Sequence, residues 1–173
     1  MDRRLSLNIF KVAIAVVGLA IASHVEVPLR PVPLTLQSLA VVLAGFFLGP
    51  FLAFLAATAL LLAGAVGLPV FSGGAGGLEH LTGATAGYLL SFPLAAALAG
   101  AMGSRRSFVW WLAAAIAAHL LILVAGTAWL ATQIGVRAAI DGGFLPFLLG
   151  ALIKSLLAAG LMKVVAARRR GEG

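Results

Sequence analysis

Cysteine is absent from the 173 residues, which excludes disulfides, thiolate nucleophiles and Cys-rich zinc or iron–sulfur sites. Charge is nearly as scarce, with Asp, Glu, Lys and Arg making up 10% of the chain, against roughly 25% in an ordinary soluble domain. Hydrophobic residues account for 62%, and the mean hydropathy is +1.14. A soluble globular protein is excluded. The 48 residues from 31 to 78 contain no charged side chain, more than twice the ~20 apolar residues that one membrane helix needs. No Lys stands in a Gly-Lys-Ser/Thr context, so any ATP hydrolysis belongs to another chain. His24, His80 and His119 lie far apart without His-Glu-x-x-His spacing, which argues against a metal site. The expected enzyme content is nil, and no cofactor is implied.

What is present are long apolar runs punctuated by Gly, Pro and charge. They predict an all-α, polytopic membrane protein whose six spans cover residues 5–23, 34–48, 51–66, 81–102, 108–131 and 144–167, forming a single domain over residues 1–173. Gly49-Pro50 separates the second span from the third, because Pro lacks the N–H of a helix interior and suits a first turn. The net charge of +7, from 12 bases and 5 acids, would suggest nucleic acid in a soluble chain. Here it reports orientation, and no nucleic-acid partner is expected. With both termini cytoplasmic, Arg3, Arg4, Lys11, Arg105, Arg106, Lys163, Arg168, Arg169 and Arg170 lie inside, and only Arg30 and Arg137 outside. That distribution obeys the positive-inside rule, and a multi-pass location in the cell (inner) membrane is expected. The N-terminus also has the pattern of a secretory signal, with small residues at Ala20 and Ala22. Uncleaved, it is the first span, and Gly18 with Ala22 forms a small-xxx-small face that serves packing within the bundle or a partner.

The informative polar residues cluster toward the external half. In the first external loop, Pro28, Pro31 and Pro33 predict an extended, stiff segment. The second, residues 67–80, carries Gly67, Gly73, Gly74, Gly76 and Gly77, either as a flexible connector or as a lid. Thr35, Gln37 and Ser38 make the start of the second span polar, and Thr82, Thr85 and Tyr88 that of the fourth, as caps or as ligand contacts. Lys154 lies about 12 to 15 Å into the sixth span at ~1.5 Å per residue. A charge at that depth costs at least ~2.5 kcal/mol. Gly150, Ala151 and Ala158 share its helix face, so protein or a cavity is expected there, with Lys154 as counter-charge for an acidic ligand. An intramembrane serine protease would have only Ser72 and His119 as its pair, and Ser72 lacks the first Gly of a Gly-x-Ser-Gly turn.

Four segments together resemble the BioY family, the biotin-specific substrate-binding (S) component of energy-coupling factor (ECF) transporters. They are Val32-Pro33-Leu34-Thr35-Leu36-Gln37, Leu48-Gly49-Pro50, Gly67-Leu68-Pro69-Val70-Phe71 and Gly83-Ala84-Thr85-Ala86-Gly87-Tyr88. The resemblance implies high-affinity biotin capture from outside, closed over by the two loops through Pro31, Pro33, Gly73, Gly74, Gly76 and Gly77. It also implies as partners a membrane coupling subunit, docked on Gly18 and Ala22, and ABC ATPases that alone use ATP. Biotin asks for a cation for its carboxylate, hydrogen-bonding groups for its ureido ring and an apolar cradle. The resemblance assigns these to Lys154, to Gln37, Thr35 and Asp141, and to Tyr88 and Phe71.

Two departures stand out. Ala84 and Ala86 replace a Pro and a Gly of the family's fourth-span motif, and the family's Asp-x-x-Lys is Ala151-Leu152-Ile153-Lys154 here. The acceptor lost at Ala151 is expected from Gln37, Asp141 or Glu79. The competing readings are an S component for another vitamin, a structural membrane subunit and a self-sufficient secondary transporter. The last needs an intramembrane carboxylate, and all five acids, Asp2, Glu26, Glu79, Asp141 and Glu172, fall at ends or in loops.

Overall fold

The computed structural model describes residues 3–105 and 107–171; Asp2, Arg106 and Glu172, and the side chain of Arg170, lie outside that description. Seven α-helices dominate: α1 (Arg3–Ser23), α2 (Gln37–Leu48), α3 (Pro50–Ala65), α4 (Ala86–Gly103), α5 (Phe108–Ile134), the short α6 (Val136–Ala139) and α7 (Leu145–Gly171). Among the described residues, α1, α4, α5 and the stretch Val136–Arg169 are long and apolar enough to cross a membrane. Helices α2 and α3 are shorter, with 12 and 16 residues. They part at Gly49, whose φ of 77° is open to glycine at little cost, and Pro50 starts α3.

Helix α4 is the hub, packing against α2, α3 and α5. Small residues allow this closeness: a Cβ on Gly45 would meet the carbonyl of Ala96 and the methyl of Ala99. At the turn into α5, Ser107 accepts the amide of Trp110, and the Trp111 indole donates to Gly103 O at 3.1 Å. Leu, Ile, Val and Phe side chains cover the exterior, and α1 buries only Leu19 and Ser23. An apolar outside around an apolar inside is what a bilayer permits and water does not.

The element boundaries depart from expectation in three instructive places. Leu34 and Thr35 belong to a strand, β2 (Leu34–Thr35), antiparallel to β1 (Glu26–Val27), with Glu26 opposite Thr35. The proline-rich loop is therefore the connection of a short hairpin, with a cis Arg30–Pro31 bond, and the helix begins at Gln37. The fourth span starts at Ala86 instead of Leu81, because the carbonyls of Thr82 and Gly83 turn toward α5. There they accept the Gln133 amide at 3.1 Å and the Trp129 indole at 2.9 Å. Residues 78–81 form a separate 3-10 turn. A widened helical turn, Ile140–Phe144, connects α6 to α7, so Asp141 sits in helical backbone and not in a loop.

Candidate functional site

Two cavities share one wall. A deep, helix-lined cavity of about 60 Å³ touches Ser38, His119, Ile122, Leu123, Phe147, Ala151 and Lys154. A larger one of about 350 Å³ lies beneath the hairpin and the Gly-rich loop, and touches Glu26, Arg30, Gln37, Phe71, Ser72, His80 and Thr85. Val32, Pro33, Thr35, Tyr88 and Phe92 border both. The arrangement is a mostly apolar recess with a few converging polar groups, the usual make-up of a small-molecule site.

Lys154 closes the deep end and is only 8% exposed. Its Nζ donates to the Thr35 carbonyl and, at 3.0 Å, to Ser38 Oγ. An ammonium has three N–H groups, so one remains for a ligand. The strand at Leu34–Thr35 makes this possible, since a strand carbonyl can face a neighbouring side chain where a helical one would point along its own axis. Thr35 Oγ1 in turn accepts the Gln37 amide N–H at 3.3 Å.

Gln37 is buried, and its side-chain amide donates to Val70 O at 3.1 Å and Leu19 O at 3.4 Å. With its donors engaged, its carbonyl oxygen is what it can offer a ligand. Phe71 lies over Gly64, where a Cβ would collide with the ring, and its carbonyl accepts Ser23 Oγ–H at 3.2 Å. Tyr88 is seated in the same way against Gly126, and its hydroxyl donates to Gly143 O at 2.8 Å. Both rings are thereby walls of fixed position.

Glu79 and Asp141 are exposed and border neither cavity. Neither is brought to Lys154 as the acceptor that Ala151 lacks. Both carboxylates stay in water, and Gly143, not Asp141, takes the inward position beside Tyr88. Ser72 and His119 border different cavities and share no hydrogen bond, so no serine–histidine pair forms. The Gly-rich loop is folded back on α3: Gly77 N–H donates to Gly64 O at 2.7 Å, and a Cβ on Gly76 would strike the backbone of residues 67–68. Gly73 is exposed, as are Pro31 and Gly18, while Gly74, Pro33 and Ala22 are half-buried. A Cβ on Gly18 would meet nothing.

Sequence reasoning passed over Glu26, Ser72 and His119 as pocket groups. Among the described residues four buried polar atoms lack a partner, and three of them, Glu26 Oε2, Ser72 Oγ and His119 Nε2, belong to residues bordering the two cavities. Buried polar groups are normally paired. For His119 there was a signal to read: an ionisable side chain in the middle of an apolar span.

The fold defines a multi-pass helical membrane protein with a mostly apolar recess between its helices and its covering loops. The chain belongs to the BioY family, which matches it over residues 1–171. It is 38% identical over 161 residues to a probable biotin transporter BioY of Pyrococcus horikoshii, covering 93% of this chain and 94% of that one. It is 37% identical to the biotin transporter BioY of Thermotoga maritima, over 88% and 91% of the two chains. In three dimensions it is similar to the crystal structure of the S-component for biotin from an ECF-type ABC transporter. The TM-score is 0.79 at 23% identity, covering 96% of this chain and 95% of the other.

Proposed function

We propose that this chain captures biotin at the outer face of the cytoplasmic membrane and delivers it inward as the S component of an ECF transporter. It acts as a transporter and not as an enzyme. It works as one six-helix domain with both termini cytoplasmic, in which α2 and α3, about 18 and 24 Å long at ~1.5 Å per residue, serve as shorter crossings. The placement of Lys and Arg supports this orientation. No cofactor resides in the chain. ATP is used by ABC ATPases, coupled through a membrane subunit that docks on the exposed face of α1 around Gly18 and Ala22.

The observation that carries the reading is the pair of adjoining cavities, one bordered by a buried Lys154, in a chain that the BioY family matches almost end to end. In it Lys154 donates to an acceptor oxygen of biotin, Gln37 and Thr35 hydrogen-bond polar atoms, and Tyr88 and Phe71 wall the rings. The hairpin at Pro31 and Pro33 and the loop at Gly73, Gly74, Gly76 and Gly77 cover the ligand. Ala151, where a carboxylate would stand in the family motif, favours one second reading: the same architecture serving another vitamin. Isothermal titration of the detergent-purified protein with biotin and a set of vitamins separates the two. Binding of biotin alone is expected, and a response confined to another vitamin would replace biotin in the reading.

A further inference from the structure

The unpartnered Nε2 of His119 has a defined chemical character. His119 is 3% exposed and lies at the deep cavity beside Lys154 and Ala151. Its Nδ1 is 2.9 Å from the carbonyl of Ala115 and 2.9 Å from Ser155 Oγ. A carbonyl can only accept, so Nδ1 carries the proton. The Ser155 hydroxyl proton goes to Ala151 O at 2.8 Å, leaving Oγ free to accept from the ring. In the neutral imidazole Nε2 is then a lone pair in want of a donor.

Biotin has only two hydrogen-bond donors, the N–H groups of its ureido ring; its ionised carboxylate and its thioether have none. Resting on biotin as the ligand, we infer that His119 Nε2 accepts a ureido N–H, supplying the acceptor that position 151 lacks. Ala151 borders the same cavity as His119, and its methyl leaves room for the imidazole to be approached. The ureido ring then lies at the deep end, where the remaining N–H of Lys154 meets the ureido oxygen. The valerate chain runs through the larger cavity toward the hairpin, where Arg30 borders the space. This revises the expectation that Lys154 faces the carboxylate. His119 becomes a specificity residue, since a ligand without a donor at that point leaves its Nε2 unpaired.

The test is titration calorimetry of wild type and His119→Leu with biotin and with the two lactam analogues in which CH₂ replaces one ureido N–H. Wild type is expected to bind one analogue roughly tenfold to a hundredfold more weakly than biotin. In His119→Leu, biotin should weaken by a similar factor, and its advantage over that analogue should disappear. An equal loss for biotin and both analogues would assign His119 a packing role and overturn the inference, as would unchanged biotin binding. If the Leu variant does not fold, nitrogen-15 NMR of histidine-labelled wild type decides. The His119 Nε2 resonance should shift with biotin, and an unmoved signal with biotin bound overturns the inference. Wild type that ignores biotin would remove the biotin reading itself, a result distinct from either of these.

Discussion

Lys154 is held by Thr35 O and Ser38 Oγ and not by a carboxylate, which leaves one N–H for an acceptor oxygen of the ligand. Removing it should cost biotin binding about 1–3 kcal/mol. Titration of Lys154→Ala should show the same loss with biotin methyl ester as with biotin if the ureido oxygen is its partner. Tyr88 depends on the missing side chain at Gly126, so Gly126→Val should push the ring out of the cavity wall. That should lower stability by about 1–3 kcal/mol, read as a reduced melting temperature in detergent, with weakened biotin binding. Lys154, Gln37, Thr35 and Tyr88 stood out because a polar side chain in so apolar a chain demands a reason, whereas Phe71 came only with the family resemblance. His119 was legible as unusual but not as an acceptor. Its tautomer is set by the Ala115 carbonyl one turn back, but that its Nε2 has no partner is evident only in three dimensions. Glu79 and Asp141 were named beside Gln37 as stand-ins for the acid missing at Ala151, yet both are solvated.

Helix α1 buries two side chains and leaves Gly18 open, an unusual allocation for a helix belonging only to its own bundle. A Gly18→Leu, Ala22→Leu double variant should bind biotin normally when purified. It should fail to co-purify with the coupling subunit and fail to support uptake in cells. Loss of binding would return α1 to internal packing. The two covering loops show where element-level reading stopped. Prolines and glycines indicated chain that is not helical, but not that one segment folds as a hairpin or that the other is pinned to α3 by Gly77 and to the bundle by Phe71. Nor could they place the start of α4, because the competition for the carbonyls of Thr82 and Gly83 comes from Trp129 and Gln133, some 50 residues on.

At the scale of the whole molecule, the lack of native cysteine makes topology directly measurable. Leu78→Cys and Ser104→Cys each replace an exposed residue at opposite ends of α4 and its preceding turn. An impermeant maleimide applied to intact cells should label the first and spare the second, and the reverse pattern would invert the proposed orientation. The membrane class, the break at Gly49-Pro50 and the approximate places of the apolar helices, though not their ends, were determined by sequence alone. Each follows from local chemistry: hydropathy over ~20 residues, the proline ring, and glycine's freedom at positive φ. The site was decided by tertiary structure. A recess bordered by β2, α2, α4, α5 and α7 exists only when segments more than 100 residues apart pack together. Whether a buried polar atom is an anchor, a wall or an unpaired acceptor depends on which of its neighbours that packing supplies.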